Sequence, residues 1–153
     1  ALAASAGSDG RIYAMGGYVG GVLGDLSTVE EFTPEGFMVT SQYTIVAIYD
    51  QTKAKKRGAC YPIKIQLQNS LGVNISSASI PVHAVSVTLA STNATGQLDY
   101  EGNANQDYDF RYDPELQGYI FNLNTSGLFT GIWNLKLLAG DDPTEHTVQF
   151  QVK

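Results

Sequence analysis

The chain of 153 residues carries a single cysteine, Cys60. It therefore has no intramolecular disulfide framework and no cysteine-rich metal knuckle. Charged residues make up 16% and leave a net charge of −6, without the basic face that a nucleic-acid partner requires. No apolar run approaches the roughly 18 residues of a membrane-spanning helix, so membrane insertion is not expected. A charged leader followed by a long apolar stretch is also missing, and Ala1 reads as a processed or cut end. Only two histidines occur, His83 and His146. Neither has a third ligand at metal spacing, and no serine stands in a nucleophile elbow. Helical periodicity is nearly absent.

What fills the chain is alternation over five to eight residues, bounded by Gly, Asn, Asp, Ser or Pro. Tyr61, Ile63, Ile65 and Leu67 share one face of a predicted strand, as do Val85, Val87 and Leu89. Tyr108, Phe110 and Tyr112 alternate with Asp107, Asp109, Arg111 and Asp113. Tyr119, Phe121 and Leu123 form another inward set, followed by Trp133, Leu135 and Leu137, then Val148, Phe150 and Val152. The apolar stretch from Phe37 to Tyr49 makes one more strand. Period two puts each set on a single face. About seven such strands across residues 37–153, joined by turns such as Asn69-Ser70-Leu71-Gly72 and Gly140-Asp141-Asp142-Pro143, predict two antiparallel sheets packed as a sandwich. A small closed barrel is the alternative. Residues 1–36 read as a separate segment of short strands: Ala1–Ala6, Arg11–Met15 before the doublet Gly16-Gly17, and Thr28–Phe32. The turn Gly7-Ser8-Asp9-Gly10 and the loop from Tyr18 to Asp25 join them, and Thr33-Pro34 stops the last. One such unit cannot bury a face alone.

Asp9-Gly10-Arg11-Ile12-Tyr13-Ala14-Met15-Gly16-Gly17, followed by Leu26-Ser27-Thr28-Val29-Glu30-Glu31-Phe32-Thr33-Pro34, resembles a partial kelch β-propeller repeat, with Thr33 at the usual Asp position. The rest resembles a bacterial domain family named for its Pro-x-Lys-Phe motif. Here the motif reads Pro62-Ile63-Lys64-Ile65. The match continues through Phe110-Arg111-Tyr112-Asp113, Gly118–Leu128, Gly131-Ile132-Trp133 and Thr147-Val148-Gln149-Phe150. These resemblances imply an all-β fold, an immunoglobulin-like antiparallel sandwich over residues 37–153 with an N-terminal kelch-like segment. They also imply the C-terminal part of a larger kelch-propeller protein, extracellular or at the cell surface, with no catalytic residues or cofactors of its own. A non-catalytic binding or spacer module is the leading reading. The alternative is an accessory sandwich of a carbohydrate-active propeller enzyme whose active site lies upstream. A partner would be a protein or a glycan, and an exposed strand edge in the N-terminal segment invites self-association.

Asp99, Glu101, Asp107, Asp109, Asp113 and Glu115 hold six of the fifteen acids in one stretch. Asp107, Asp109 and Asp113 are the calcium candidates, since oxygen ligands suit that ion. On a strand, however, Asp107 and Asp109 would stand about 6–7 Å apart on the solvent face, with Arg111 where a third ligand is wanted. A solvated face is the leading reading for them, and a weak calcium site the alternative. Lys53, Lys55, Lys56 and Arg57 supply four of the nine basic residues in one loop and are the anion-binding candidates, against a plain solvated loop. Tyr43, Tyr49 and Tyr100 are the aromatics free to meet a sugar. Cys60 reads as inert core, His146 as a half-buried structural residue, and Asp141-Asp142-Pro143 as an Asx turn. The sequons Asn74-Ile75-Ser76, Asn93-Ala94-Thr95 and Asn124-Thr125-Ser126 mark polar surface if the source is bacterial.

Overall fold

The computed structural model describes residues 3–6, 12–17, 26–32, 41–102 and 106–153. The expected turn at 7–10, the loop at 18–25, the stop at 33–34 and the start of the strand expected from Phe37 lie outside the described residues. The chain divides into two compact units, Ala1–Met38 and Val39–Lys153.

The first unit is an antiparallel sheet of β1 (Ala3–Ala6), β2 (Ile12–Gly17) and β3 (Leu26–Phe32), in that order. Ala3 stands opposite Met15, and Ile12 opposite Phe32. The β2–β3 register shifts between Met15 and Gly17, at the glycine doublet.

The second unit is the predicted sandwich. One sheet orders β4 (Thr44–Ala47), β5 (Cys60–Gln68), β8 (Gly118–Asn124) and β7 (Arg111–Asp113). The other orders β10 (His146–Val152), β9 (Gly131–Ala139) and β6 (Val82–Leu89). Every pair is antiparallel. The chain crosses between sheets after β5, β6 and β8, so neighbours in sequence repeatedly face each other across the core. This is the immunoglobulin-like arrangement of two stacked antiparallel sheets.

Alternation sets the core. Ile63, Ile65 and Leu67 of β5, Phe121 and Leu123 of β8, and Leu135, Leu137 and Phe150 of the opposite sheet are fully buried in one cluster. Each such side chain contributes about 1.5–3 kcal/mol of transfer free energy. Aromatic rings tie the sheets together. Tyr61 meets Phe150 edge-on at 5.5 Å, and Phe110 lies 5.0 Å from Phe121. Such ring pairs substitute for a disulfide in holding the two layers.

Two expected strands are corrected. In β6 the inward residues are Val82, Ala84 and Val87, while Val85 is 41% exposed. A bulge between Ala84 and Ser86 inserts one residue against Leu137–Lys136 of β9. One extra residue reverses the parity of everything before it, so Val85 turns outward although it alternates with Val87. In the acidic stretch, only Arg111–Asp113 is strand. Gln106–Tyr108 forms a tight 3-10 turn in which Asp107 and Tyr108 take φ values of 54° and 65°. That left-handed pair turns Tyr108 out to 37% exposure instead of leaving it with buried Phe110. The strand expected over 37–49 is seen as Thr44–Ala47 alone within the described residues.

Backbone pairs occupy both edges of the three-stranded sheet. Beside β10, Lys55 N donates to Gln151 O, Lys153 N to Lys55 O, and Arg57 N to Lys153 O. Beside β6, Phe110 N donates to Val82 O and Gly96 N to Val87 O.

Candidate functional site

The acidic candidates are given three separate tasks. Asp107 lies exposed on the 3-10 turn. Asp109 Oδ1 sits 2.8 Å from His83 Nδ1, both side chains about half exposed, beside the edge of β6. Asp113 Oδ1 accepts the backbone N–H groups of Glu115 and Leu116 at 3.1 and 3.0 Å and so closes the β7–β8 turn. Its Oδ2 is 3.6 Å from Arg111. Among the described residues no three His, Cys, Asp or Glu side chains come together as metal ligands.

The carboxylate with the strongest local role is Asp142, which sequence reasoning took for a turn residue. The turn is real, since Thr144 N donates to Asp142 Oδ1 at 2.9 Å. The other oxygen, however, points inward. Asp142 is 3% exposed, and its Oδ2 accepts Gln42 N at 2.8 Å, Ser41 Oγ at 2.9 Å and Tyr43 N at 3.3 Å. His146 Nε2 also lies 3.3 Å from Oδ2, and the carboxylate fixes that nitrogen as the donor. Burial by itself would push the Asp142 carboxyl up. Hydrogen bonds from Thr144, Ser41 and Gln42 outweigh it and hold the group well below the usual carboxylate range. The cluster ties the β9–β10 turn to the start of β4, about a hundred residues away in sequence, and fits a structural clamp. His146, its side chain 10% exposed, belongs to that clamp.

Cys60 is exposed, which corrects its reading as core: it occupies the outermost position of β5, where the strand leaves the sandwich. Partial burial and the neighbouring Glu101 carboxylate push its thiol above the ordinary value, so it is a poor nucleophile at neutral pH. Of the three tyrosines, Tyr43 packs against the core. Tyr49 donates to Gln149 O at 2.6 Å and meets Tyr61 edge-on. Tyr100 meets Tyr108 edge-on at 5.2 Å.

The basic loop does not act as one patch. Arg57 Nε donates to Ser126 O at 3.1 Å, and its guanidinium lies 5.5 Å from the Phe129 ring centre. Lys56 is exposed. Lys53 and Lys55 instead line a cleft of about 290 Å³, together with Ile48–Asp50 just after β4 and Lys64 of β5. Lys64 falls outside the sequence run, on the outward-facing register of β5 between buried Ile63 and Ile65. Only the pairing of loop and strand brings it to Lys53.

Comparison with known proteins bears on the N-terminal part. Residues 1–47 match the kelch motif family. The N-terminal part is similar to a kelch motif. The match extends through β4 and ends on its last residue, Ala47. Among solved structures, the Lin-41 filamin domain is similar at 13% identity, over 74% of this chain and 93% of that one, with a TM-score of 0.36. No curated protein matches.

Proposed function

We propose that this chain is a non-catalytic interaction and spacer module, adjoining the blades of a longer kelch-propeller protein displayed outside the cell or on its surface. The observation that carries the reading is the overlap of kelch match and sandwich. The match runs to residue 47 and the sandwich unit begins at Val39, so the two overlap in sequence. The resemblance of residues 62–65 and 110–150 to the bacterial Pro-x-Lys-Phe family favours the extracellular setting.

The test is made on the full-length protein in its source cells. Protease added to intact cells is expected to remove the sandwich, and crosslinking on the cell surface should capture a partner that is lost when residues 39–153 are deleted. Protection of the sandwich until the cells are lysed would overturn the surface reading. Capture unaffected by the deletion would overturn the interaction role.

A further inference from the structure

We propose that the cleft between the basic loop and β5 binds an oligoanion, a ligand presenting two or more carboxylate or phosphate groups over one or two sugar-sized units, through Lys53, Lys55 and Lys64. The cleft gathers three of the nine basic residues of a chain whose net charge is −6. Its one acid is Asp50, whose Oδ1 accepts Thr52 Oγ1 at 2.6 Å and Thr52 N at 2.9 Å. One carboxylate leaves two of the three positive charges uncompensated. None of the three ammonium groups makes a hydrogen bond or an ion pair among the described residues.

The backbone that carries these lysines is also held in place. Tyr61 donates its hydroxyl to Lys53 O at 3.0 Å, and Lys53 N donates to Asp50 O. Lys55 is fixed on both sides by backbone bonds to Gln151 and Lys153. Lys64 stands on a central strand of its sheet. Three like charges lining one cleft repel one another, and a multivalent anion relieves that repulsion on a loop whose backbone is already ordered. The apolar lining fixes the rest of the ligand's character. Tyr49 meets Tyr61 at 5.9 Å, and both hydroxyls are spent on backbone carbonyls; Tyr61 is buried beneath, so half-buried Tyr49 and Pro62 supply the apolar surface. A cleft of about 290 Å³ sits at the small end of ligand pockets, the size of one or two sugar units. A carboxylated or phosphorylated sugar unit supplies both the oxyanions and the carbon body. Lys56 and Arg57, although next in sequence, take no part. The inference stands independently of where the protein is displayed.

Calorimetric titration of the chain at low salt with oligoglucuronate, and separately with inorganic pyrophosphate, tests it. Oligoglucuronate should bind, with affinity falling as salt rises. Lys53→Ala, Lys55→Ala and Lys64→Ala should each weaken it about three- to fivefold. Lys136→Ala, at a residue paired with Glu145 on the other sheet, and Arg57→Ala should leave it unchanged. Unaltered melting curves would show that the variants are folded. Equal or tighter binding of pyrophosphate with the same lysine dependence would keep the site and identify bare phosphate as its anion. Failure to bind either probe, or equal weakening by Lys136→Ala or Arg57→Ala, would overturn the proposal.

Discussion

Two acidic regions of this sandwich use the same side chain in opposite ways. Between residues 107 and 113 three aspartates lie within seven positions, yet Asp107 is exposed, Asp109 meets His83 at a half-exposed edge and Asp113 closes its own turn. At the β9–β10 turn a single aspartate, Asp142, is buried and gathers donors from Ser41, Gln42, Tyr43, Thr144 and His146. Density of acids in sequence is therefore a poor guide to where a carboxylate matters. What counts is how many donors the fold delivers to it and how little water competes.

The sharpest way to break the contrast is to remove the buried group. Asp142→Ala leaves Gln42 N, Tyr43 N and Thr144 N without their acceptor, and chemical denaturation should show a loss of about 3 kcal/mol. Removing His146 as well should add less than the two single losses, because both act in one cluster. pH provides a second lever. The folded-state carboxyl of Asp142 titrates below its unfolded value. Its contribution is therefore fully present above the ordinary aspartate range near pH 4, and is lost progressively as pH falls from there towards the folded value. Stability measured against pH should fall more shallowly over this acid limb in Asp142→Asn than in the parent chain, and parallel limbs would refute the clamp.

The exposed region should respond far less. Asp113→Ala removes the acceptor for Glu115 N and Leu116 N, and a loss of about 1 kcal/mol is expected, as for a helix cap. The smallest effect concerns calcium. Melting with and without EDTA should give coincident curves, and replacing Asp107, Asp109 and Asp113 together with asparagine should not alter that coincidence. A calcium-dependent rise in melting temperature, abolished by the triple replacement, would restore these residues as ligands and erase the contrast.

Much of the sandwich was legible because alternation is a direct consequence of the pleat. Ile63, Ile65 and Leu67, or Leu135 and Leu137, leave one face choice open. The failures occur where the backbone leaves the simple pattern. Val85 reads as core because the extra residue of a bulge has no side-chain signature. Asp107 and Tyr108 read as strand because neither is a glycine, yet both adopt a left-handed conformation. The Asp142 cluster was invisible for another reason. Its Asx turn is local and legible in the sequence, whereas its second oxygen meets Ser41, Gln42 and Tyr43, which only the assembled fold brings near. Lys64 escaped notice in the same way, as a lone cation on a strand until the basic loop folds beside it.

The strap of Lys55 to Arg57 along β10 has a further effect. By taking up the amide groups at the rim of its sheet, it makes growth by strand addition unfavourable, because an incoming chain must first peel away three existing backbone hydrogen bonds. The opposite rim is likewise taken up by Phe110 and Gly96. Polymerisation through this layer is therefore suppressed at both ends, and copies crowded together are kept from zipping into one continuous sheet.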